Sequence, residues 1–205
     1  MSVCYIVGAG DFAPLPEIKE GDFIIAADGG YDSLRASSLT PNLLVGDLDS
    51  IENVPTGVEI LRFKSEKDET DMHLAFLEGM KRGYREFMIY GGLGGRADHS
   101  FANYSLLYYI AKSGCLANLV GLKDETTLIL DSSVTLPKMK RGSYFSVFAF
   151  GGDALGVSIK NAKYEVSDVR LSPDFPLGVS NEFCDTPPTI SVNKGALLVI
   201  FQKNS

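Results

Sequence analysis

Near residue 123 the pattern of the chain changes, and that change limits the fold more than any other feature. Before it, short apolar runs alternate with segments of helical period. Val3–Val7, Phe23–Ala27, Asn42–Val45, Val58–Phe63, Phe87–Tyr90 and Leu116–Gly121 read as strands, several ending in Gly or Asp. The stretch TDMHLAFLEGMKRG places Met72, Ala75, Phe76 and Met80 on one helical face, with Asp68 or Thr70 able to cap the start and Gly83 at the C′ position. Asp98 to Ser113 reads as a second helix, stopped at Gly114, with Phe101, Ala102, Ser105 and Tyr109 on one face. Such alternation means βαβ units and a mostly parallel, Rossmann-like sheet. After residue 123 only short strand-like runs remain, Thr126–Leu130, Tyr144–Phe150, Val157–Ile159, Thr189–Val192 and Ala196–Gln202, separated by turn clusters such as FGGD, SPDFP and VNKG. The expectation is an α/β domain over residues 1–122 followed by an all-β sandwich domain over 123–205.

Composition narrows the partners. The net charge of −7 gives no basic face for nucleic acid or an anionic membrane. Phosphorylated small molecules stay open, because a few carboxylates can hold a divalent cation that binds the phosphates. Cys4, Cys115 and Cys184 are odd in number and form no CxxC, which reads as buried thiols in a reducing compartment. The start, MSVCYIVGAGDF, lacks a basic signal-peptide region, and no apolar run approaches the roughly 20 residues of a membrane span, so the expected location is the cytoplasm.

Four strand ends carry the chemistry. Asp47 and Asp49, in GDLDS after the third strand, would aim their carboxylates at one point if the chain there is extended, and Mg²⁺ takes such oxygen ligands. An isolated DxD is more often a turn with a capping aspartate. Lys67-Asp68-Glu69-Thr70-Asp71 opens a helix, where a phosphate is favoured, although Asp71 can equally just complement the helix dipole. In GGLGGRADH, residues 91–99, glycines between strand and helix let backbone N–H groups approach a phosphate chain. Arg96 there offers a planar fork, and Asp98 is either an N-cap or a further metal or substrate carboxylate. Asp28-Gly29-Gly30 repeats the strand–Asp–Gly arrangement, whereas the partial glycine fingerprint VGAGDF carries little weight. His73 and His99 read as ordinary helix residues. In a parallel sheet these strand ends share one edge, and together they point to phosphates and a divalent metal.

In order and spacing, these motifs resemble those of the bacterial-type thiamine pyrophosphokinases, and Val179-Ser180-Asn181-Glu182-Phe183 resembles that family's late SNEF motif. The resemblance implies an N-terminal domain that binds ATP and Mg²⁺, a C-terminal β-sandwich, and a homodimer that binds thiamine. The implied reaction moves the pyrophosphoryl group of ATP to the thiamine hydroxyl, giving thiamine diphosphate and AMP. It assigns Asp47, Asp49 and Asp71 to the metal and Asp98, Ser180 and Asn181 to thiamine. Asp28, Gly29, Gly30, Lys67, Asp68, Thr70, Gly92, Gly94, Gly95 and Arg96 go to ATP and its phosphates. Asp71, Asp98 and Arg96 are the catalytic candidates, with Asp71 and Asp98 both open as acceptor of the hydroxyl proton. The chain has no Trp, so stacking on thiamine falls to Phe or Tyr, with Phe183 a candidate. Two other readings of the residues are a metal-dependent DxD sugar-nucleotide transferase or phosphatase, and a binding module that holds a nucleotide or thiamine phosphate without turnover.

Overall fold

A computed structural model describes residues 2–48, 57–64 and 68–203. The chain divides into two compact units, Met1–Leu122 and Lys123–Ser205.

In the first unit, β1 (Cys4–Val7), β2 (Phe23–Ala27), β3 (Leu43–Gly46), β4 (Glu59–Arg62), β5 (Glu86–Tyr90) and β6 (Leu116–Val120) form a sheet in the order β4-β3-β2-β1-β5-β6. All five of these pairings are parallel. Helix α1 (Gly30–Ala36) follows β2, α2 (Asp71–Lys81) follows β4, and α3 (Ala97–Lys112) follows β5. The chain winds outward from β1 to β4, then returns to add β5 on the other side of β1. Strand order therefore reverses between β1 and β5, the place where open parallel sheets hold ligands beyond their carboxyl ends.

The central strands β1, β2 and β3 are buried on both faces, which is why they read as continuous apolar runs, whereas the edge strand β4 is not. Tyr5, Val7, Ile24, Ala26, Leu44 and Tyr90 pack on one side with Leu34 of α1. Helix α2 lies close on the sheet because Gly79 permits it: a Cβ there would sit 2.7 Å from Phe87 and 2.9 Å from Cys4 Sγ. Burial pushes the Cys4 thiol up to about 12, so it stays protonated well above the ordinary thiol range. In a thiol-labelling experiment at pH 8, the half-buried Cys184 should react first, with buried Cys4 and Cys115 reacting only as the fold opens. Rapid labelling of Cys4 in the native protein would contradict this packing.

The second unit is antiparallel in every pairing described. It contains β7 (Asp124–Leu130), β8 (Ser133–Thr135), β9 (Tyr144–Lys160), β10 (Val166–Leu171), β11 (Gly178–Glu182), β12 (Thr189–Ser191) and β13 (Lys194–Gln202), and no helix among the described residues. The FGGD cluster, expected as a turn, lies inside β9. Gly151 and Gly156, with φ of 72° and 67°, let this 17-residue strand bend instead of ending. Its first half pairs with β11 and β13 and its second half with β10 and β12, so one strand serves two sheets. Phe145, Val147, Val157, Phe183, Ile190 and Leu197 fill the core between them. Counted over the chain, strand pairing is mixed rather than mostly parallel, because parallel pairing is confined to the first unit.

Candidate active site

A cleft of about 450 Å³ opens at the carboxyl edge of the parallel sheet. It is lined by Asp28 after β2, Asp47 after β3, Glu69, Thr70 and Asp71 at the start of α2, and Gly91, Gly92, Gly94, Gly95 and Arg96 between β5 and α3. All four of the expected segments thus deliver residues to one space. Asp49 and Lys67 lie outside the described residues.

The extended-chain argument for Asp47 and Asp49 does not hold. Leu48 between them has φ of 65°, a left-handed conformation, and its side chain is buried in the core below. The chain leaving Asp47 therefore turns instead of continuing the pleat of β3.

Helix α2 starts as its sequence predicts. Thr70 is the N-cap, and its Oγ1 accepts the His73 N–H at 3.2 Å, which leaves Asp71 in the first turn at the mouth of the cleft. Replacing Thr70 by Val keeps the volume and removes the cap, so the melting temperature should fall by about 2–4 °C per kcal/mol of a roughly 1 kcal/mol loss. An unchanged melting temperature would mean that the cap does not hold α2 in place. Behind this turn, the His73 ring packs edge-on against Tyr109 at 4.4 Å, and burial holds its imidazole below the usual range.

The glycine loop is a close-fitted structure. Gly8 N–H donates to Tyr90 O, Gly10 N–H to Gly91 O at 2.8 Å, and Asp11 N–H to Leu93 O at 2.7 Å. The segment after β1 and the loop after β5 therefore continue the β1–β5 pairing past the end of the sheet. Gly91 has φ of 60°, and a Cβ there would meet Gly8 O at 2.1 Å; a Cβ on Gly10 would meet Leu93 O at 2.2 Å. VGAGDF, given little weight above, supplies Gly8, Ala9 and Gly10 to the cleft wall.

Arg96 is the N-cap residue of α3, and Asp98 sits in the first turn without acting as the side-chain cap. The two form a bidentate pair, Nε–Oδ1 at 3.1 Å and Nη2–Oδ2 at 2.6 Å, with both side chains largely in solvent. The Arg96 hydrogen bonds hold the Asp98 carboxyl below the usual carboxylate range, assisted by the His99 N–H. Arg96 lines the cleft and Asp98 does not.

Other expected residues fall elsewhere. Gly29 is the N-cap of α1, and Gly30 is packed against β1, where a Cβ would lie 1.9 Å from Val7 O; neither lines the cleft, nor does Asp68. In the second unit Ser180 is exposed, with φ of 59° and its N–H donating to Ser146 Oγ. Asn181 is buried, and its amide is spent on the backbone: Oδ1 accepts from Tyr164 and Glu182, and Nδ2 donates to Tyr164 O at 2.8 Å. Phe183 is 1% exposed and packed edge-on against Phe145, so it is core and offers no stacking face.

Glu69, Met72, His99, Ala102 and Asn103 also line the cleft. The signal for His99 and Asn103 was their helical spacing from Arg96, three and then four residues. The face of α3 that carries Phe101 and Tyr109 is the exposed one, at 66% and 43%, while Asn103, Leu106, Leu107 and Ile110 are buried.

The cleft thus combines carboxylates with backbone amides at the reversal point of a parallel sheet, the set that a metal–triphosphate requires. Comparison with known proteins points the same way. The family model described as thiamin pyrophosphokinase, catalytic domain, matches residues 16–119, and the one described as its vitamin B1 binding domain matches residues 132–197. The thiamine pyrophosphokinase of Bacillus subtilis (strain 168) is 26% identical over 98% of both chains. The crystal structure of the B. subtilis enzyme superimposes with a TM-score of 0.88 at 23% identity, covering 100% of both chains. That of a thiamin pyrophosphokinase family protein from Enterococcus faecalis gives 0.84 at 26%, again covering both chains in full. This chain belongs to the thiamin pyrophosphokinase family.

Proposed function

We propose that this protein transfers the pyrophosphoryl group of ATP to thiamine, and that the cleft at the β1–β5 reversal holds the nucleotide. The observation that carries the reading is the delivery of Asp28, Asp47, Asp71, Arg96 and two interlocked glycine segments to one cleft. The thiamine hydroxyl oxygen attacks the β-phosphorus, the bond from that phosphorus to the α-phosphate bridging oxygen breaks, and AMP leaves. The hydroxyl proton passes to a carboxylate, with Asp71 and Asp98 the candidates. Such a transfer depends on positioning and charge neutralisation and needs no covalent nucleophile.

Within this proposal Asp47 and Asp71, with Asp49, would hold Mg²⁺, which supplies charge neutralisation along the triphosphate. Hard carboxylate oxygens suit that ion. Mg²⁺ dehydrates reluctantly, so phosphate oxygens and water would complete its shell. Thr70, Gly92, Gly94, Gly95 and Arg96 would contact the phosphates, with Lys67 and Asp68 alongside. Asp28, Gly29 and Gly30 belong to the same proposed group, although only Asp28 lines the cleft, and Gly30 acts through its packing on β1.

The thiamine assignments are of two kinds. Asp98 becomes available when a phosphate draws Arg96 away from it. Ser180 is exposed and able to contact the vitamin, whereas Asn181 would act by holding the strand that carries it. The vitamin B1 binding match over the second unit supports placing thiamine recognition there. A homodimer and a cytoplasmic location complete the proposal. No helix of the described residues is long and apolar enough to cross a membrane.

The direct test is product analysis of purified protein with ATP, Mg²⁺ and thiamine. AMP and thiamine diphosphate in equal amounts, abolished by chelator, is the expected result. ADP with thiamine monophosphate would make it an ordinary kinase, and thiamine-independent ATP loss would contradict the acceptor. The family matches lend no support to the sugar-nucleotide transferase, phosphatase or binding-module readings.

A further inference from the structure

Asn103 is a polar side chain on the cleft wall that lies outside the motifs and has no role in the family resemblance. It is 94% buried, standing at 6% exposure on α3, and its Nδ2 donates to Gly92 O at 2.7 Å. That bond fixes the orientation of the amide, since a carbonyl oxygen accepts only from the nitrogen end. The oxygen end, Oδ1, takes no hydrogen bond from any described residue, and the residue lines the cleft. The oxygen is not sealed from solvent, so it faces the open cleft, where a donor on a bound ligand can take the place of water. Gly92 leaves room for this contact: a Cβ there would lie 2.6 Å from Leu119 and 3.2 Å from Asn103 Nδ2.

The chemistry of the occupant follows from the acceptor. A phosphate oxygen has no proton to give and would be repelled, so this point of the wall does not take the triphosphate itself. A donor suits this point, immediately beside the glycine segments. In a nucleoside triphosphate the donors nearest the phosphate chain are the ribose hydroxyls, whereas the exocyclic amine of adenine lies at the far end of the base. We infer that Asn103 reads the nucleotide sugar: its Nδ2 holds the Gly92 carbonyl, and its Oδ1 accepts a hydrogen bond from a ribose hydroxyl. This inference rests on the placement of ATP in the cleft and adds a sugar-recognition residue to it.

The test is equilibrium binding of Mg²⁺ complexes of ATP, 2′-deoxyATP and 3′-deoxyATP by titration calorimetry, without thiamine, on wild type and Asn103→Ala. Wild type should bind one of the deoxynucleotides about threefold to tenfold more weakly than ATP, the loss expected for one neutral hydrogen bond. In Asn103→Ala that discrimination should disappear, while ATP itself binds more weakly. If Asn103→Ala does not fold, Asn103→Ser serves in its place, because a hydroxyl can still donate to Gly92 O while ending short of the sugar. Discrimination that persists in the variant, or equal binding of all three nucleotides by wild type, would overturn the inference and leave the ATP site standing. Failure of wild type to bind ATP at all would overturn the placement of the nucleotide, and the inference with it.

Discussion

Asp71→Asn should reduce turnover by roughly 10²–10³-fold, the range seen when one electrostatic contact to the transition state is deleted from a preorganised site. The substitution preserves shape, removes the negative charge and turns one acceptor oxygen into a donor NH₂. Its structural cost is small. Thr70 and not Asp71 provides the side-chain cap of α2, so the cap survives the change, and the charge–dipole part of the loss is about 0.3–1 kcal/mol. Activity and stability should therefore separate: turnover collapses while the melting temperature moves by a few degrees at most. Steady-state kinetics with a parallel thermal melt decides it. Near-native turnover would remove Asp71 from both of its proposed roles, as metal ligand and as acceptor of the hydroxyl proton.

The second large effect is expected at Gly91. Its φ of 60° costs a residue with a side chain about 1–2 kcal/mol, and the added Cβ would lie 2.1 Å from Gly8 O, a backbone atom that cannot rotate away. Overpacking of that kind adds about 1–3 kcal/mol, so Gly91→Ala should lose roughly 2–5 kcal/mol. In a chain of this size that corresponds to a fall of roughly 4–20 °C in melting temperature. Nucleotide binding should go with it, because the Gly10–Gly91 pairing that shapes the cleft wall is broken. Gly95→Ala is the control. Gly95 has a similar φ of 63° but open space around it, with nothing within 4 Å of a Cβ, so the change should cost only the left-handed conformation. Equal destabilisation by the two changes would show that the interlock between the β1 and β5 segments does not matter.

Gly91 also marks how much of the site was legible in the sequence. The strand–helix alternation, the cap at Thr70 and the stop at Gly114 could be read because each follows from local chemistry: apolar period, hydroxyl at the N-cap, glycine in a left-handed turn. The cleft carboxylates were legible through their positions at strand ends, which a parallel sheet brings to one edge. Pairings across the chain were not legible. VGAGDF looks like a fragment of a fingerprint until β1 and β5 are seen to be neighbours, and adjacency of strands about 80 residues apart leaves no local trace. Helix α3 shows the same limit in another form. Both of its faces carry apolar residues, so the pattern alone favoured Phe101 and Tyr109, yet packing against the sheet selected Leu106, Leu107 and Ile110 and brought Asn103 with them. In the second unit, Phe183 was an aromatic in a recognisable motif, but the pleat of the chain turned it into the core. The glycines of β9 suggested a turn because bending and reversing a strand use the same residue.

The claim on which these expectations converge is that Asp47 and Asp71 act together on a metal-bound nucleotide. Mn²⁺ substitutes for Mg²⁺ and is observed directly by electron paramagnetic resonance, so titrating Mn²⁺–ATP into wild type and into the Asp47→Asn/Asp71→Asn double variant tests the claim without depending on catalysis. Wild type should show a protein-bound Mn²⁺ signal that requires ATP, and the folded double variant should lose it. A double variant that binds Mn²⁺–ATP as tightly as wild type would contradict the account and place the metal elsewhere.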